Sequence, residues 1–317
     1  MNRRYFFLGS LGGAFSIAAA CSRRGGTRTA QVSIVRAASY SVDLAGIIRR
    51  ILAEHRVAVR GKNILLKPNL VEFNPQAPIN TDPIFVVAAA EAFRSLGARS
   101  VRIAEGPGHR RTTLDMAEAA GFFGAIPKFE DSFTDLNIDD VTRVQLSRPL
   151  SKLSELYLPN TALACDLLVT LPKMKTHHWA GATLAMKNLF GLVPGSVYGW
   201  PKNPLHWAGI DECIADLHYL FPKQFCLVDG IDAMEGNGPI LGTLKHVGVV
   251  VGGPHPATVD ATCCRIMRIN PKKIRYLGLV ADRSSWNLDG TQQLGERIDS
   301  VATRFALHPD LINLRLV

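Results

Sequence analysis

From Gln31 onward, short runs of branched apolar residues alternate with longer amphipathic stretches, and this alternation limits the available folds most strongly. The predicted strands are QVSIV, NILLKPN, SVRIAEG, DLLVTLPK, FCLVDG and HVGVVVGG. The predicted helices span residues 42–55, 82–96, 113–120, 208–220 and 255–267. Strands and helices that alternate in this way form βα units sharing a mostly parallel sheet. We therefore predict a single α/β domain over residues 31–317, with helices flanking the sheet, either as one body or as two lobes around a polar cleft.

Several of these strands are apolar throughout and then end in a polar or glycine-rich turn. A strand without polar alternation is typical of a sheet that is covered on both faces. Ligands of such sheets bind beyond the carboxyl ends of the strands, so the polar strand ends are the candidate site. Residues 127–160 are less regular and are predicted to be a connection with one or two strands.

Lys67 and Asn69 stand at the end of the second predicted strand. A lysine beside a buried strand is costly unless a counter-charge pairs with it. This position favours a ligand-binding role for both residues. The alternative is that the Lys67 side chain runs along the apolar surface and places its ammonium in water.

The third predicted strand ends in the loop AEGPGHRRTT, which carries Glu105 and His109 together with two arginines. A carboxylate, an imidazole and guanidinium groups before a helix suit anion binding or proton transfer. The loop matches neither G-x-G-x-x-G nor G-x-x-x-x-G-K, so it predicts neither a dinucleotide fingerprint nor a P-loop. A solvated turn histidine is the alternative for His109.

The densest polar stretch is DLLVTLPKMKTHHWAGATLAMKNLFGLVPG, residues 166–195. Lysines and histidines beside a buried strand need a counter-charge, which an anionic ligand or a carboxylate-lined cleft would supply. A solvated basic face is the alternative. The candidates from this stretch are Lys173, Lys175, His177, Lys187 and Asn188, and His206 follows in a later loop.

Carboxylates cluster in the segment VDGIDAMEGNGP, which follows another predicted strand and includes Asp229 and Glu235. Such side chains would pair with the lysines or bind a hard cation. The order D-x-D-x-D-G is absent, so the segment does not predict a calcium-binding loop.

Charge and cysteine spacing argue against several classes of protein. The chain has 36 Lys and Arg against 27 Asp and Glu, a net charge of +9, without any long block of like charges. This argues against a nucleic-acid-binding arm but leaves a bias toward anionic ligands. The six cysteines include no C-x-x-C pair, which argues against iron–sulfur and zinc sites. Buried free thiols are expected, including at the neighbours Cys263 and Cys264.

The first residues, MNRRYFFLGSLGGAFSIAAA, have the basic start, short apolar run and small terminal residues of a signal peptide. Arg3 and Arg4 before aromatic residues resemble a twin-arginine signal, whose export machinery carries folded proteins. Cleavage before Cys21 would leave a lipidated N-terminus, and ordinary cleavage near Ala20 is the alternative. Residues 1–30 are thus predicted to be leader and linker. The mature chain is predicted to be periplasmic, or anchored on the outer side of the inner membrane with membrane contact only through leader or lipid.

The motifs KPNLV, AEGPGHRRTT, DLLVTLPKMKTH, TLAMKNLFG, DGIDAMEGNGP and VDAT occur in this order along the chain. Together they resemble the family called domain of unknown function 362, over nearly the whole mature chain. Some members of that family carry ferredoxin-like cysteine clusters, which this chain lacks. No iron–sulfur cluster is therefore expected here.

A second resemblance, to the nickel-pincer lactate racemase family, rests on fewer residues. That family has a glycine-led His-Arg turn, then a His and a Lys around a small-residue loop, then a further His. His109, His177, Lys187 and His206 follow this order. The resemblance implies that His109 and His177 are a paired acid and base, that Lys187 holds the cofactor and that His206 is a metal ligand. The chain departs from the racemase pattern at ATLAMKNLFG, which replaces a serine/glycine-rich loop, and at KPNLV, which replaces an arginine-bearing turn.

These observations lead to one functional hypothesis and one rival. The leading hypothesis is an exported enzyme or cofactor-dependent catalyst that acts on a small anionic substrate, with a metal or metal-organic cofactor as an option. The rival is a non-catalytic, membrane-tethered protein that binds an anion or a metal. Both need the same basic cleft, so composition does not separate them.

Overall fold

The structure of the protein is a computed structural model that describes residues 30–108, 112–284 and 287–316. The predicted leader, with Arg3, Arg4 and Cys21, lies outside the described residues, and so does His109. What the sequence predicts for these residues stays a prediction.

A ten-stranded sheet forms the centre of the described domain. The strands of the chain are β1 (Ala30–Arg36), β2 (Asn63–Pro68), β3 (Ser100–Glu105), β4 (Phe133–Asp135), β5 (Val141–Gln145), β6 (Glu155–Pro159), β7 (Leu167–Leu171), β8 (Lys173–His177), β9 (Gly181–Thr183), β10 (Gln224–Asn237), β11 (Leu241–Gly253) and β12 (Thr291–Gly295). The main order is β12-β1-β11-β10-β7-β2-β3-β4, while β8 pairs with β10 and β9, and β5 with β6 forms a separate ladder. The antiparallel pairs are β1–β11, β10–β11, β8–β9 and β5–β6. The predicted α/β class with a mostly parallel sheet is confirmed.

Helices flank the sheet, and capping side chains fix where the first of them begin. The α-helices are α1 (Leu44–Glu54), α2 (Pro83–Ser95), α3 (Thr113–Ala119), α4 (Phe122–Ala125), α5 (Phe129–Ser132), α6 (Asn160–Leu163), α7 (Ala185–Asn188), α8 (Gly195–Tyr198), α9 (Asn203–Trp207), α10 (Ile210–Leu220), α11 (Pro256–Ile266), α12 (Arg275–Ser284) and α13 (Ile298–Val301). Short 3₁₀ helices span Leu189–Leu192, Pro271–Lys273 and Pro309–Leu314. Asp43 accepts a hydrogen bond from the Gly46 N–H (2.7 Å) and Asp82 from the Ile84 N–H (2.8 Å), the usual N-cap arrangement. Within the described ranges, no helix is long and apolar enough to cross a membrane.

Apolar side chains cover both faces of the sheet. Leu65 of β2 packs in one core cluster with residues of α7, α10, α11 and α12, whereas Ile64 and Leu66 pack in the other with residues of α1 and α2. Side chains alternate along a strand, so neighbours reach opposite faces. Burial on both faces, as the apolar strands predict, is confirmed. Five cysteines of the described part are free thiols, as expected: Cys165, which is partly exposed, and the buried Cys213, Cys226, Cys263 and Cys264.

All six predicted strands are present, and the five predicted helices agree with α1, α2, α3, α10 and α11 to within two residues at each end. Strands β10 and β11 are longer than predicted and form one hairpin, because their pairing continues from Cys226 opposite Gly253 to Asn237 opposite Leu241. The irregular stretch 127–160 contains β4, β5 and β6, which is one strand more than predicted.

The predicted strand DLLVTLPK divides at Pro172. β7 pairs with β2, up to Leu171 opposite Pro68, and with β10 on its other side. Pro172 has no N–H to donate to a neighbouring strand. The chain continues as β8, whose partners in the described sheet are β10 and β9 rather than β2. The sheet therefore divides here, and β8 together with the carboxyl ends of β2 and β3 borders a cavity.

Candidate functional site

A cavity of about 270 Å³ lies beyond the carboxyl ends of β2 and β3, and its wall also contains residues of β8 and of the turn between β10 and β11. This volume is just below the usual range of roughly 300–1,000 Å³ for ligand cavities, so it suits a small molecule. Its wall contains seven residues predicted from the sequence: Asn69, Glu105, Lys175, His177, Lys187, Asn188 and His206. Further wall residues are His178, Trp179, Thr183, Phe190, Lys202 and Asn203.

Lys67 lies behind this wall and forms a buried ion pair. Its Nζ lies 2.5 Å from Glu105 Oε2 and 3.4 Å from Asn188 Oδ1, and neither charged side chain is more than 2% exposed. Burial raises the pKa of Glu105 and lowers the pKa of Lys67, while each partner opposes the shift of the other. A Cβ at Gly191 would lie 1.7 Å from Glu105 Oε1, so a residue without a side chain is needed there. The Lys67 ammonium is therefore paired internally and does not extend into water.

Lys175 is a buried cation without an ion pair to a carboxylate in the described part of the chain. Its Nζ donates to the carbonyl oxygens of Ile79 (2.8 Å) and Pro239 (3.3 Å). Burial lowers the pKa of Lys175 well below its ordinary value, and the positive charge of Lys187 lowers it further. Holding a proton here is costly unless an anion enters the cavity.

Lys187 and Lys202 complete a group of three lysines around the cavity. Lys187 Nζ lies 3.7 Å from the centre of the Phe190 ring, and the described residues provide it with no hydrogen-bond acceptor. Lys202 is buried and donates to the Gly106 carbonyl. Burial lowers the pKa of each of the two lysines to about 7, and the Lys67 charge contributes to both shifts. Near pH 7, both ammonium groups are therefore close to losing a proton.

His177 is buried at the end of β8, and its surroundings fix its tautomer. Nδ1 accepts hydrogen bonds from the backbone N–H groups of Trp179 (3.1 Å) and Ala180 (3.2 Å). Because two donors point at Nδ1, the proton of the neutral ring lies on Nε2. Burial lowers the pKa of His177 well below its ordinary value, and Lys187 lowers it further. His177 is therefore a neutral ring that donates through Nε2–H.

His178 and His206 have the opposite tautomer. Nδ1 lies 2.8 Å from the Gly238 carbonyl oxygen in His178, and 3.2 Å from the Lys202 carbonyl oxygen in His206. A carbonyl only accepts, so each Nδ1 carries the proton and each Nε2 keeps a lone pair. Among the residues that the structure describes, no three His, Cys, Asp or Glu side chains converge as a metal site held by protein alone requires.

A carboxylate from another helix holds the short helix α7, which carries Lys187 and Asn188. Asp260 of α11 is fully buried and accepts hydrogen bonds from the N–H groups of Ala185 (2.8 Å) and Met186 (3.0 Å). Burial raises the pKa of Asp260 to about 7, and these two donors oppose the rise. The contact fixes the start of α7 and, with it, the position of Lys187.

Two buried polar atoms of the cavity wall have no hydrogen-bond partner in the described structure: Asn69 Oδ1 and Thr183 Oγ1. Asn188 orients Asn69, because Asn69 Nδ2 donates to Asn188 Oδ1 (3.2 Å). A buried polar atom left unpaired costs about 1–3 kcal/mol. A polar ligand in the cavity would satisfy these two atoms.

Three residues predicted for the site lie elsewhere. Lys173 forms a buried ion pair with Asp229 (Nζ to Oδ2, 2.6 Å) and donates to the Tyr40 hydroxyl (2.9 Å), beside a second cavity. Glu235 pairs with Lys245 (3.4 Å) on the β10–β11 hairpin. The expected pairing of lysines with these carboxylates is thus present at Lys173, away from the cavity described above.

Lys202, Thr183 and Trp179 are wall residues that the sequence patterns do not predict. Lys202 lies in the loop WPKNP and has a left-handed φ of +64°. The neighbouring proline and asparagine residues are typical of a turn and predict a loop here. Such a pattern identifies a loop without indicating which of its side chains points inward. Thr183 and Trp179 belong to a Gly/Ala-rich segment that is predicted to be a turn.

A family model described as "Domain of unknown function (DUF362)" matches residues 64–265, which is more than half of the 317-residue chain. The protein belongs to this family. The resemblance that the sequence motifs indicate is thereby confirmed. The DUF362 match begins in β2 and ends in α11, so it includes every wall residue named above as well as Asp260.

One curated relative is the thylakoid-associated protein sll1697 of Synechocystis sp. (strain ATCC 27184 / PCC 6803 / Kazusa). It is 27% identical over an alignment of 257 residues, and the match covers 77% of this DUF362 chain and 76% of the relative. Among solved structures, the lactate racemase apoprotein from Thermoanaerobacterium thermosaccharolyticum matches with a TM-score of 0.46 and 16% identity. That match covers 76% of this chain and 57% of the racemase chain, so this protein spans little more than half of the racemase.

Proposed function

We propose that the protein is an enzyme that binds a small anion in the 270 Å³ cavity. The observation that carries this proposal is the charge of the wall. Lys175, Lys187 and Lys202 border the cavity, whereas the carboxylate among its described wall residues, Glu105, is already paired with Lys67. Lys175 and Lys202 are buried and Lys187 is half-buried, and cations in such positions destabilise a fold unless a group of opposite charge binds there. An anion would pair with all three ammonium groups.

The neutral polar atoms of the wall support the same proposal. His177 would donate to the anion through Nε2–H, and the unpaired Asn69 Oδ1 would accept from a donor on the ligand. In this arrangement His177 orients the ligand rather than removing a proton, because its Nδ1 is engaged with two backbone N–H groups. The acid and base pairing of His109 and His177, which the racemase resemblance implies, stays a prediction, and in this tautomer His177 would be the acid of the pair.

Lys187 is the residue that we assign to the chemical step. An ammonium group with a pKa of about 7 gives up its proton far more readily than an ordinary lysine, so Lys187 pairs with the anion in its charged form and can then act as a general acid. The described residues do not hydrogen-bond its Nζ, so the amine is free to contact the ligand. The role of Asp260 is to position this lysine through α7.

Calorimetric titration with sulfate at pH 6 tests the anion site. We expect the wild-type chain to bind sulfate, and Lys187→Met to weaken binding by about ten- to hundredfold, the effect of losing one charge-assisted hydrogen bond. The matched control is Lys223→Met, which removes the same charge from an exposed position outside the cavity. Equal affinity in the Lys187→Met and wild-type proteins would refute the assignment.

A metal-organic cofactor is a further proposal for the same cavity. A metal held by the described protein side chains alone does not fit there, but Lys187 and the free Nε2 of His206 border the cavity together. They would hold an anionic organic group and its metal, which would supply redox or hydride chemistry when bound.

Native mass spectrometry with elemental analysis, on protein purified from its own host, tests the cofactor. A metal, or a mass adduct on Lys187, is the expected result for the cofactor-dependent enzyme. A bare polypeptide would rule out the nickel-pincer likeness and leave cofactor-free catalysis. An unmodified solute that exchanges freely, without turnover, would instead support the non-catalytic binding protein.

We also propose that the protein acts outside the cytoplasm. The proposal rests on the leader residues, with Arg3 and Arg4 before an apolar run, and on Cys21 as a candidate for lipidation. It agrees with the description of the Synechocystis relative as thylakoid-associated. The twin-arginine export machinery is the partner that this leader implies.

A further inference from the structure

We propose that the anion bound in this cavity is amphiphilic, with an acidic head group at Lys175, Lys187 and Lys202 and an apolar tail that leaves across Trp179. This inference rests on the proposed function, because it assumes that the three lysines bind an anion. It goes further in assigning the chemical class of the ligand. The acidic head can be a carboxylate, sulfate or phosphate, and the tail can be aliphatic or aromatic.

The cavity wall combines two kinds of side chain. One kind is polar: the three lysines and His177, together with the unpaired atoms of Asn69 and Thr183. The other kind is rich in carbon: Leu70, Val71, Trp179, Phe190, Pro239 and Ile240. A ligand that carried only charged or polar groups would leave these apolar side chains without a partner. An apolar substituent on the anion would cover them.

At Trp179, the apolar side chains of the cavity wall reach the surface of the protein. Its side chain is 61% exposed although it borders the cavity. The indole is held edge-on against His178 (4.9 Å between ring centres) and His206 (5.4 Å). Its position is thus fixed by two rings, while most of its surface is left to solvent. An exposed indole beside a ligand cavity is stabilised when an apolar group covers it.

The size of the cavity limits how much of the tail it can hold. Since a cavity of about 150 Å³ accommodates benzene, a volume of about 270 Å³ holds a head group and a tail of roughly six to eight carbon atoms. A longer tail would extend past Trp179 into water, where its further methylene groups no longer contact the protein. The affinity of an amphiphilic anion should therefore rise with tail length and then become constant.

Calorimetric titration at pH 6 with acetate, butyrate, hexanoate and octanoate tests this inference. We expect the dissociation constant to fall about twofold to fourfold for each added methylene until the tail reaches the surface. Trp179→Ala should reduce this dependence on chain length. The matched control is Trp207→Ala, since Trp207 is 74% exposed and does not border the cavity. Benzoate and 3-phenylpropionate distinguish aromatic from aliphatic tails.

The titrations test the amphiphilic ligand and the anion site separately. If sulfate and acetate bind but longer carboxylates bind no better, the amphiphilic ligand is ruled out and the anion site stands. If no anion binds to the folded wild-type chain, the proposed function fails and this inference fails with it. Should Trp179→Ala fail to fold, Ile240→Ser removes a second apolar wall residue and is expected to reduce the chain-length dependence in the same way.

Discussion

Lys67→Met is expected to destabilise the protein by about 3–5 kcal/mol, because it leaves the buried carboxylate of Glu105 without a counter-ion. The pair is buried and the two charged atoms are 2.5 Å apart. The measurement is the free energy of unfolding in urea. The variant should lose more stability at pH 8 than at pH 5. Without Lys67, the folded-state pKa of Glu105 lies further above its unfolded value, so the folded state binds the extra proton and stability falls as pH rises.

Two control proteins show whether burial causes this effect. Lys67→Met combined with Glu105→Gln removes both charges and should recover most of the lost stability. Lys272→Met breaks an ion pair of similar length, 2.6 Å to Asp289, but its side chain is 63% exposed. That change should cost less than about 1 kcal/mol. If Lys67→Met costs no more than Lys272→Met, the buried pair does not stabilise the fold as described.

Sulfate affinity is expected to fall as pH rises above 7, by about tenfold per pH unit if one lysine must be protonated for binding. Burial lowers the pKa of Lys187 and of Lys202 to about 7. A bound anion favours the charged ammonium and raises both pKa values, so binding above pH 7 takes up protons. Sulfate keeps its charge over this range, and only the protein titrates.

Calorimetry in two buffers with different ionisation enthalpies measures this proton uptake directly. We expect uptake near pH 8 in the wild-type protein and less uptake in Lys187→Met. Affinity that stays constant between pH 6 and pH 9 would contradict the lowered lysine pKa values. It would mean that neutral donors such as His177 hold the anion.

The sequence patterns predict the frame of the protein well, because that frame depends on local periodicity. Apolar runs predict β2, β3 and β7, and the predicted helices 42–55 and 82–96 agree with α1 and α2. The carboxyl ends of parallel strands lie at one edge of the sheet, which predicts that Asn69, Glu105 and Lys175 are neighbours. They do line one cavity.

The rest of the site depends on contacts between distant segments. The partners of Lys173 and Lys175 decide which of the two lines the cavity. Lys173 forms an ion pair with Asp229, whereas Lys175 donates only to carbonyl oxygens in the described structure. Both lysines occupy equivalent positions in the sequence pattern. The inward direction of Lys202 and the support that Asp260 gives to α7 likewise follow from tertiary packing, which periodicity does not encode.

The position of β7 between two strands that are distant in sequence has a consequence for the order of folding. β7 lies between β2, which precedes it by about a hundred residues, and β10, which follows it by more than fifty. Pairings between such distant segments form late, since long loops must close first. The cavity wall takes residues from the ends of β2 and β3, from β8 and from the turn of the β10–β11 hairpin. Anion binding would therefore report completion of the whole domain, and no fragment that ends before β10 would acquire it.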